Sequence, residues 1–137
     1  MDDNTKLLYA QNYKLNFGDH TLTTKAKIDN FEFLENIYYL KTYDQITRLE
    51  KDSSLFFETV PGATVHNFIQ NDDELSFSLL GNGHTSITLQ LEGETVYRIL
   101  NNKNSLLGSG VANSSGKINF SLELDPLKET HCIIKKS

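Results

Sequence analysis

Between positions 74 and 91 the chain alternates apolar and polar residues in two runs. Leu75, Phe77 and Leu79 alternate with Ser76 and Ser78, then Ile87, Leu89 and Leu91 alternate with Thr88 and Gln90, with Gly81-Asn82-Gly83 between them. Side chains on a strand point alternately to its two faces, so a period of two predicts two half-buried strands joined by a turn, with the aliphatic set facing a core. The same rhythm extends from Ala63 onward. Runs at 64–69, 75–80, 85–91, 95–100, 106–111, 117–124 and 130–134 are separated by turn-forming groups such as Glu92-Gly93-Glu94, Asn101-Asn102-Lys103-Asn104 and Asp125-Pro126. Short strands at this spacing predict an antiparallel sandwich.

The first sixty residues are also rich in strand-forming patterns. Gly18-Asp19 fits a two-residue hairpin loop, which would set Phe17 opposite His20, Leu15 opposite Leu22 and Tyr13 opposite Thr24. Lys14, Asn16, Thr21, Thr23 and Lys25 would then form the wet face. Leu7-Leu8-Tyr9 fits either an edge strand or a loosely tied terminus. Phe31, Phe33 and Leu34, followed by Ile37-Tyr38-Tyr39-Leu40, favour strands over an amphipathic helix, because their apolar positions spread around a helical wheel. Stretch 44–52 stays open between strand and a short helix, with Asp44 as N-cap and Ile46 and Leu49 sharing a face. Stretch 55–60 reads as a strand stopped by Pro61-Gly62.

The expected fold is all-β: an immunoglobulin-like antiparallel β-sandwich over 61–137, with an additional N-terminal β-hairpin region over 1–60 packed on it or extending it, and a short helix near 44–52 as the alternative there. Pro61-Gly62 is the candidate boundary, but it is too short for a free linker.

Composition narrows the function classes. A chain of 137 residues can bury one domain-sized core, and none of its apolar runs approaches the roughly 20 residues that span a bilayer as a helix. A net charge of −5 and a pI near 5.3, with only Lys135-Lys136 as a basic pair at the end, argue against a nucleic-acid surface. The first residues, MDDNTKLLYAQ, lack a basic n-region and an apolar h-region. The expectation is a cytoplasmic protein or a piece excised from a secreted or surface parent. Cys132 is the only cysteine, so an internal disulfide is excluded, and its setting in His-Cys-Ile-Ile predicts a buried, inert thiol.

Candidate chemistry is sparse. Gly81-Asn82-Gly83 and Gly108-Ser109-Gly110 lack the Gly-Lys-Ser/Thr and the following helix of a phosphate loop, and read as turn glycines. His20, His66, His84 and His131 are scattered without metal-ligand spacing, so no metal site and no cofactor are expected. The acidic turn Asn71-Asp72-Asp73-Glu74 lacks the glycine and spacing of an EF-hand, and the paired carboxylates at Glu92 and Glu94 sit in a turn where they would be solvated. Asn113-Ser114-Ser115 matches a glycosylation sequon, which matters only in a secretory context. The tyrosines are the exception. A flat ring with a polar tip suits a wet rim, and Tyr faces beside Asn, Asp and Lys suit a sugar ring. Strand parity over 37–43 puts Ile37, Tyr39, Lys41 and Tyr43 on one face and Tyr38, Leu40 and Thr42 on the other. The candidate ligand-binding set is therefore Tyr39, Lys41 and Tyr43, with Tyr97 as a further member.

Over 60–124 the order of parts resembles the small immunoglobulin-like β-sandwich accessory modules of bacterial carbohydrate-active and cell-surface proteins. The resemblance is carried by a strand after Pro61-Gly62, the run FSLLGNG, the strand SITLQL, the strand VYRILNN and the hairpin NSSGKINFSLEL. It implies a non-catalytic accessory module that binds a glycan or cell-wall polysaccharide, or one that packs on the catalytic domain of a parent protein. The other expectation is a structural spacer or oligomerisation domain whose exposed strands pair with a second copy. Neither expectation includes an enzyme, nucleic acid or membrane.

Overall fold

The computed structural model describes residues 7–71 and 74–137. Residues 1–6, where a leader's basic region would begin, and Asp72-Asp73 of the acidic turn lie outside the described residues. Everything described is strand, turn or loop. In chain order the strands are β1 (Leu8–Gln11), β2 (Lys14–Phe17), β3 (Ala26–Phe33), β4 (Asn36–Tyr43), β5 (Ile46–Lys51), β6 (Ser54–Val60), β7 (Ala63–Gln70), β8 (Glu74–Gly81), β9 (Gly83–Gln90), β10 (Val96–Leu100), β11 (Leu106–Val111), β12 (Lys117–Leu124) and β13 (Thr130–Lys136). They form two antiparallel sheets packed as a sandwich. One runs β1-β2-β7-β8-β13-β10-β11 and the other β12-β9-β6-β5-β4-β3.

The alternation read at 74–91 has its physical outcome here. Leu75, Phe77, Leu79, Ile87 and Leu89 are all buried. Gly81-Asn82-Gly83 does not close a hairpin; it is a corner, because β8 belongs to the seven-stranded sheet and β9 to the six-stranded one. Between the sheets lies a cluster of Phe rings meeting edge to face. Phe57 of β6 contacts Phe17 of β2 at 5.2 Å, Phe77 of β8 at 5.5 Å and Phe68 of β7 at 5.7 Å between centroids. One ring from the six-stranded sheet thus inserts among three from the other, an arrangement the ring quadrupoles favour.

The alternative held open at 44–52 and one expected turn are not met. The 44–52 stretch is not helical. Asp44 and Gln45 form the turn between β4 and β5, and β5 alternates Thr47 and Leu49 inward with Ile46, Arg48 and Glu50 outward. That alternation, paired on both sides by β4 and β6, outweighs the single apolar pair a helix would have buried. The Gly18-Asp19 hairpin does not form either. Phe17 pairs with Leu8, and the turn is Asn12-Tyr13, both residues at positive φ as a type I′ turn requires. Gly18 has φ +87°, but the Asp19 carboxylate accepts from the Thr21 N–H at 2.9 Å, and the chain crosses to the other sheet. The expected all-β antiparallel sandwich does form, and of its seven strands from β7 onward five lie in one sheet and two in the other. β3 to β6 complete the smaller share, and β1 and β2 extend the larger. Strands from both sides of the cis Val60-Pro61 bond therefore hydrogen-bond into each sheet.

Buried polar groups tie the two sheets together. Thr47 of β5 donates its hydroxyl proton to the Ala63 carbonyl at 2.8 Å and accepts from the Ala63 N–H at 3.0 Å. Since that proton is committed, Thr42 donates to Thr47 at 2.8 Å, and the Thr42 oxygen accepts from the Asp19 N–H at 2.9 Å. Gly62, just before Ala63, donates its N–H to the Asp44 carbonyl at 3.0 Å, and a Cβ there would overlap the Tyr43 carbonyl.

Candidate functional site

The outward face of the six-stranded sheet collects the polar side chains of β3, β4 and β5. β4 turns Tyr38, Leu40 and Thr42 into the core and Tyr39, Lys41 and Tyr43 outward. Register then builds the site. Lys27 of β3 lies opposite Lys41, Lys41 opposite Arg48 of β5, and Arg48 opposite Glu58 of β6. The row continues through Thr88 of β9 to Asn119 of β12, whose amide donates to the Thr88 and Ser86 hydroxyls at 2.9 Å each. One step along, Tyr39 lies opposite Glu50.

Around Tyr39 these side chains enclose a shallow hollow lined by Lys27, Asp29, Tyr39, Lys41, Arg48 and Glu50. The Tyr39 hydroxyl donates to the Asn30 side-chain oxygen at 3.0 Å. Asn30 sits at φ +57° within the irregularity of β3 between Ile28 and Phe31, so the bulge supplies the partner that holds the ring. Arg48 is anchored at two points, Nε to Glu50 at 3.1 Å and Nη1 to Glu58 at 2.9 Å. The Glu50 hydrogen bond foremost, with Glu58 adding, holds its guanidinium pKa above the ordinary value while partial burial opposes the shift. Tyr43 lies outside the hollow, four residues from Tyr39 on the same face, which is about 13 Å along a strand. Lys25 Nζ stands 5.8 Å from its ring centroid. The face thus offers two ring surfaces, ammonium donors and carboxylate acceptors.

Tyr97 is not part of this face. It is 5% exposed on β10 of the seven-stranded sheet, and its hydroxyl accepts from the Glu92 N–H at 3.0 Å. Its inward neighbour Ile99 shares its parity, a signal that marks Tyr97 as core despite the hydroxyl. Lys27, Asp29, Arg48 and Glu50 of the hollow lie on β3 and β5, which parity along β4 alone does not reach. Assigning 46–51 as a strand would have found Arg48 and Glu50 by parity.

The outer face of the seven-stranded sheet holds a second polar group. His66 of β7, Ser78 of β8 and His131 of β13 are in register. Ser78 Oγ lies 2.6 Å from His131 Nδ1, and His66 Nδ1 lies 3.0 Å from Glu129 Oε2. The imidazole on the serine is not the one on the carboxylate, so these residues do not form a Ser-His-acid relay. Among the described residues no three His, Cys, Asp or Glu side chains group to hold a metal ion. Cys132 is fully buried, and burial pushes its thiol up to about 12. No protein-family model, curated protein or solved structure matches the chain.

Proposed function

We propose that the chain is a non-catalytic accessory module that binds carbohydrate, carried by a larger bacterial surface or secreted protein. The observation that carries this reading is the hollow around Tyr39, where an outward ring held by Asn30 stands among ammonium and carboxylate groups. Sugar rings present C–H faces to an aromatic plane and hydroxyls that both donate and accept around their edge, and this set complements both. Tyr43 would extend the platform to more than one sugar residue. The bacterial and surface assignment rests on the resemblance over 60–124. The test is a binding screen of neutral and acidic polysaccharides by affinity electrophoresis, followed by calorimetry on those retained. Tyr39→Ala should weaken binding by roughly tenfold or more, as for a central aromatic anchor. Unchanged affinity in both Tyr39→Ala and Tyr43→Ala would remove the site from this face.

A second reading, a spacer or self-associating domain, is favoured by β11. This strand ends its sheet, carries no charge, and exposes Leu106, Leu107 and Val111. Natural edges are usually blunted by charge or proline. Light scattering on the screened sample separates the readings: a dimer mass with no glycan retained favours the spacer.

A further inference from the structure

We propose that the hollow around Tyr39 takes an acidic sugar, with the Lys27 and Lys41 ammonium groups meeting the carboxylate of a hexuronate unit. The proposal rests on the carbohydrate-binding reading and names the class of glycan. It starts from an electrostatic arrangement that the fold itself does not need. Lys27 and Lys41 lie directly opposite each other across β3 and β4, and Arg48 lies opposite Lys41 on its other side. Like charges facing across a strand pair destabilise a sheet. On the Arg48 flank of Lys41 the charge is offset, since Arg48 pairs with Glu50 and Glu58, so the unrelieved opposition is the one with Lys27. The nearby carboxylates do not relieve it, because Glu50 and Glu58 are both drawn to Arg48. Among the described residues neither Lys27 nor Lys41 has a carboxylate within ion-pair distance, although Asp29 lines the same hollow.

Neighbouring strands stand about 4.8 Å apart, so two opposed lysines can converge on one carboxylate. A carboxylate there would screen the two ammonium groups from each other and form two charge-assisted hydrogen bonds, each stronger than a neutral one. The remaining groups fit the rest of a uronate ring: Asp29 and Glu50 can accept from its hydroxyls, and Tyr39 offers a face for its C–H surface. General attraction to polyanions does not account for such binding, because the chain carries a net charge of −5 and repels them at long range. Recognition would have to come from the local pair.

The test uses the whole chain and calorimetry with oligouronates of galacturonate, guluronate and glucuronate, each beside its methyl ester, which keeps the sugar and removes the charge. At least one acid should bind, with its methyl ester weaker by roughly tenfold or more, the scale of one charge-assisted contact. Lys27→Gln and Lys41→Gln should each bring the acid close to the affinity of the ester, and Tyr39→Ala should weaken both forms. Lys103→Gln, in an exposed loop, should change neither. Equal affinity for acid and ester, or lysine variants indistinguishable from the parent, would overturn the uronate assignment and leave sugar binding standing. Retention of neutral glycans alone in the wider screen has the same meaning. If no glycan of either kind binds, both the assignment and the reading beneath it fail. Binding of dextran sulfate that survives Tyr39→Ala, without uronate binding, would also overturn it.

Discussion

Two buried threonines on adjacent strands have opposite energetic roles. Thr47 Oγ1 bonds to both the N–H and the carbonyl of Ala63, whereas Thr59 Oγ1 is buried with no hydrogen-bond partner. A buried polar group without a partner costs free energy, and losing a partner exposes the group left behind to the same cost. Thr47→Val should therefore destabilise the chain by about 2 kcal/mol, because it orphans a buried backbone pair. Thr59→Val, nearly the same shape change, should be neutral or stabilise by up to about 1 kcal/mol. Urea unfolding of the two variants beside the parent checks both signs. Legibility in the sequence was uneven at this scale. Period-two parity is enough to turn Tyr39, Lys41 and Tyr43 to one side of β4. It does not tell which strands lie beside β4, so the facing lysines and the Arg48 clamp stay hidden until register is known. For Tyr97 the parity shared with Ile99 was the better guide, and the phenol's polar tip misled because one buried N–H is enough to satisfy it.

Turn chemistry decided most of the differences among elements. β1-β2, β3-β4 and β5-β6 are each closed by two consecutive residues at positive φ, and none of the six is glycine: Asn12-Tyr13, Leu34-Glu35 and Asp52-Ser53. Leu and Glu in the left-handed region are unfavourable, which is why 34–35 carried no turn signal in the sequence while Gly18-Asp19 did. The conformation is imposed by the strands on either side, which the pairing of Phe33 with Asn36 holds in register. Leu34→Asn combined with Glu35→Gly should accordingly raise stability by about 1 kcal/mol, with the strand pairing unchanged. A shifted denaturation midpoint with an unaltered m-value would show this, and a lower midpoint would refute it. The seven strands after Pro61 were legible because each is bounded by Asn, Asp or Gly clusters. The corner at Gly81-Asn82-Gly83 was not, because a tight turn between alternating runs looks the same locally whether the second strand returns beside the first or passes to the other sheet.

For the molecule as a whole, the interleaving of early and late strands governs stability. β7 has β2 on its free side, β9 has β6, and Phe57 of β6 fills the space between Phe17, Phe68 and Phe77. A fragment of residues 62–137 would lose Phe57 and leave β7 and β9 each with a bare edge. Its circular dichroism should show no cooperative unfolding transition, whereas the full chain should unfold in one step seen alike by far-ultraviolet dichroism and tyrosine fluorescence. Two separated transitions in the full chain would contradict this. The sheet order was out of reach of sequence reasoning, since it depends on which distant apolar faces meet and no local pattern encodes that.

The order of strands also bears on how the chain reaches this state. β3 to β6 follow one another across their sheet through short turns, so a small loop closes at each step. The seven-stranded sheet is assembled differently: Asn16 reaches Asn67 across 51 residues, and Ser78 reaches His131 across 53. Those contacts repay their loop-closure entropy only once both partners are in place. Loop-closure entropy alone therefore predicts that the β3-β6 meander, which carries the Tyr39 hollow, pairs before the seven-stranded sheet, and φ-values near zero for Leu49 or Leu40 would refute this. β13 lies between β8 and β10, so a chain in which β13 has not docked leaves both with unpaired backbone edges, the kind of edge on which copies of a chain can pair and aggregate.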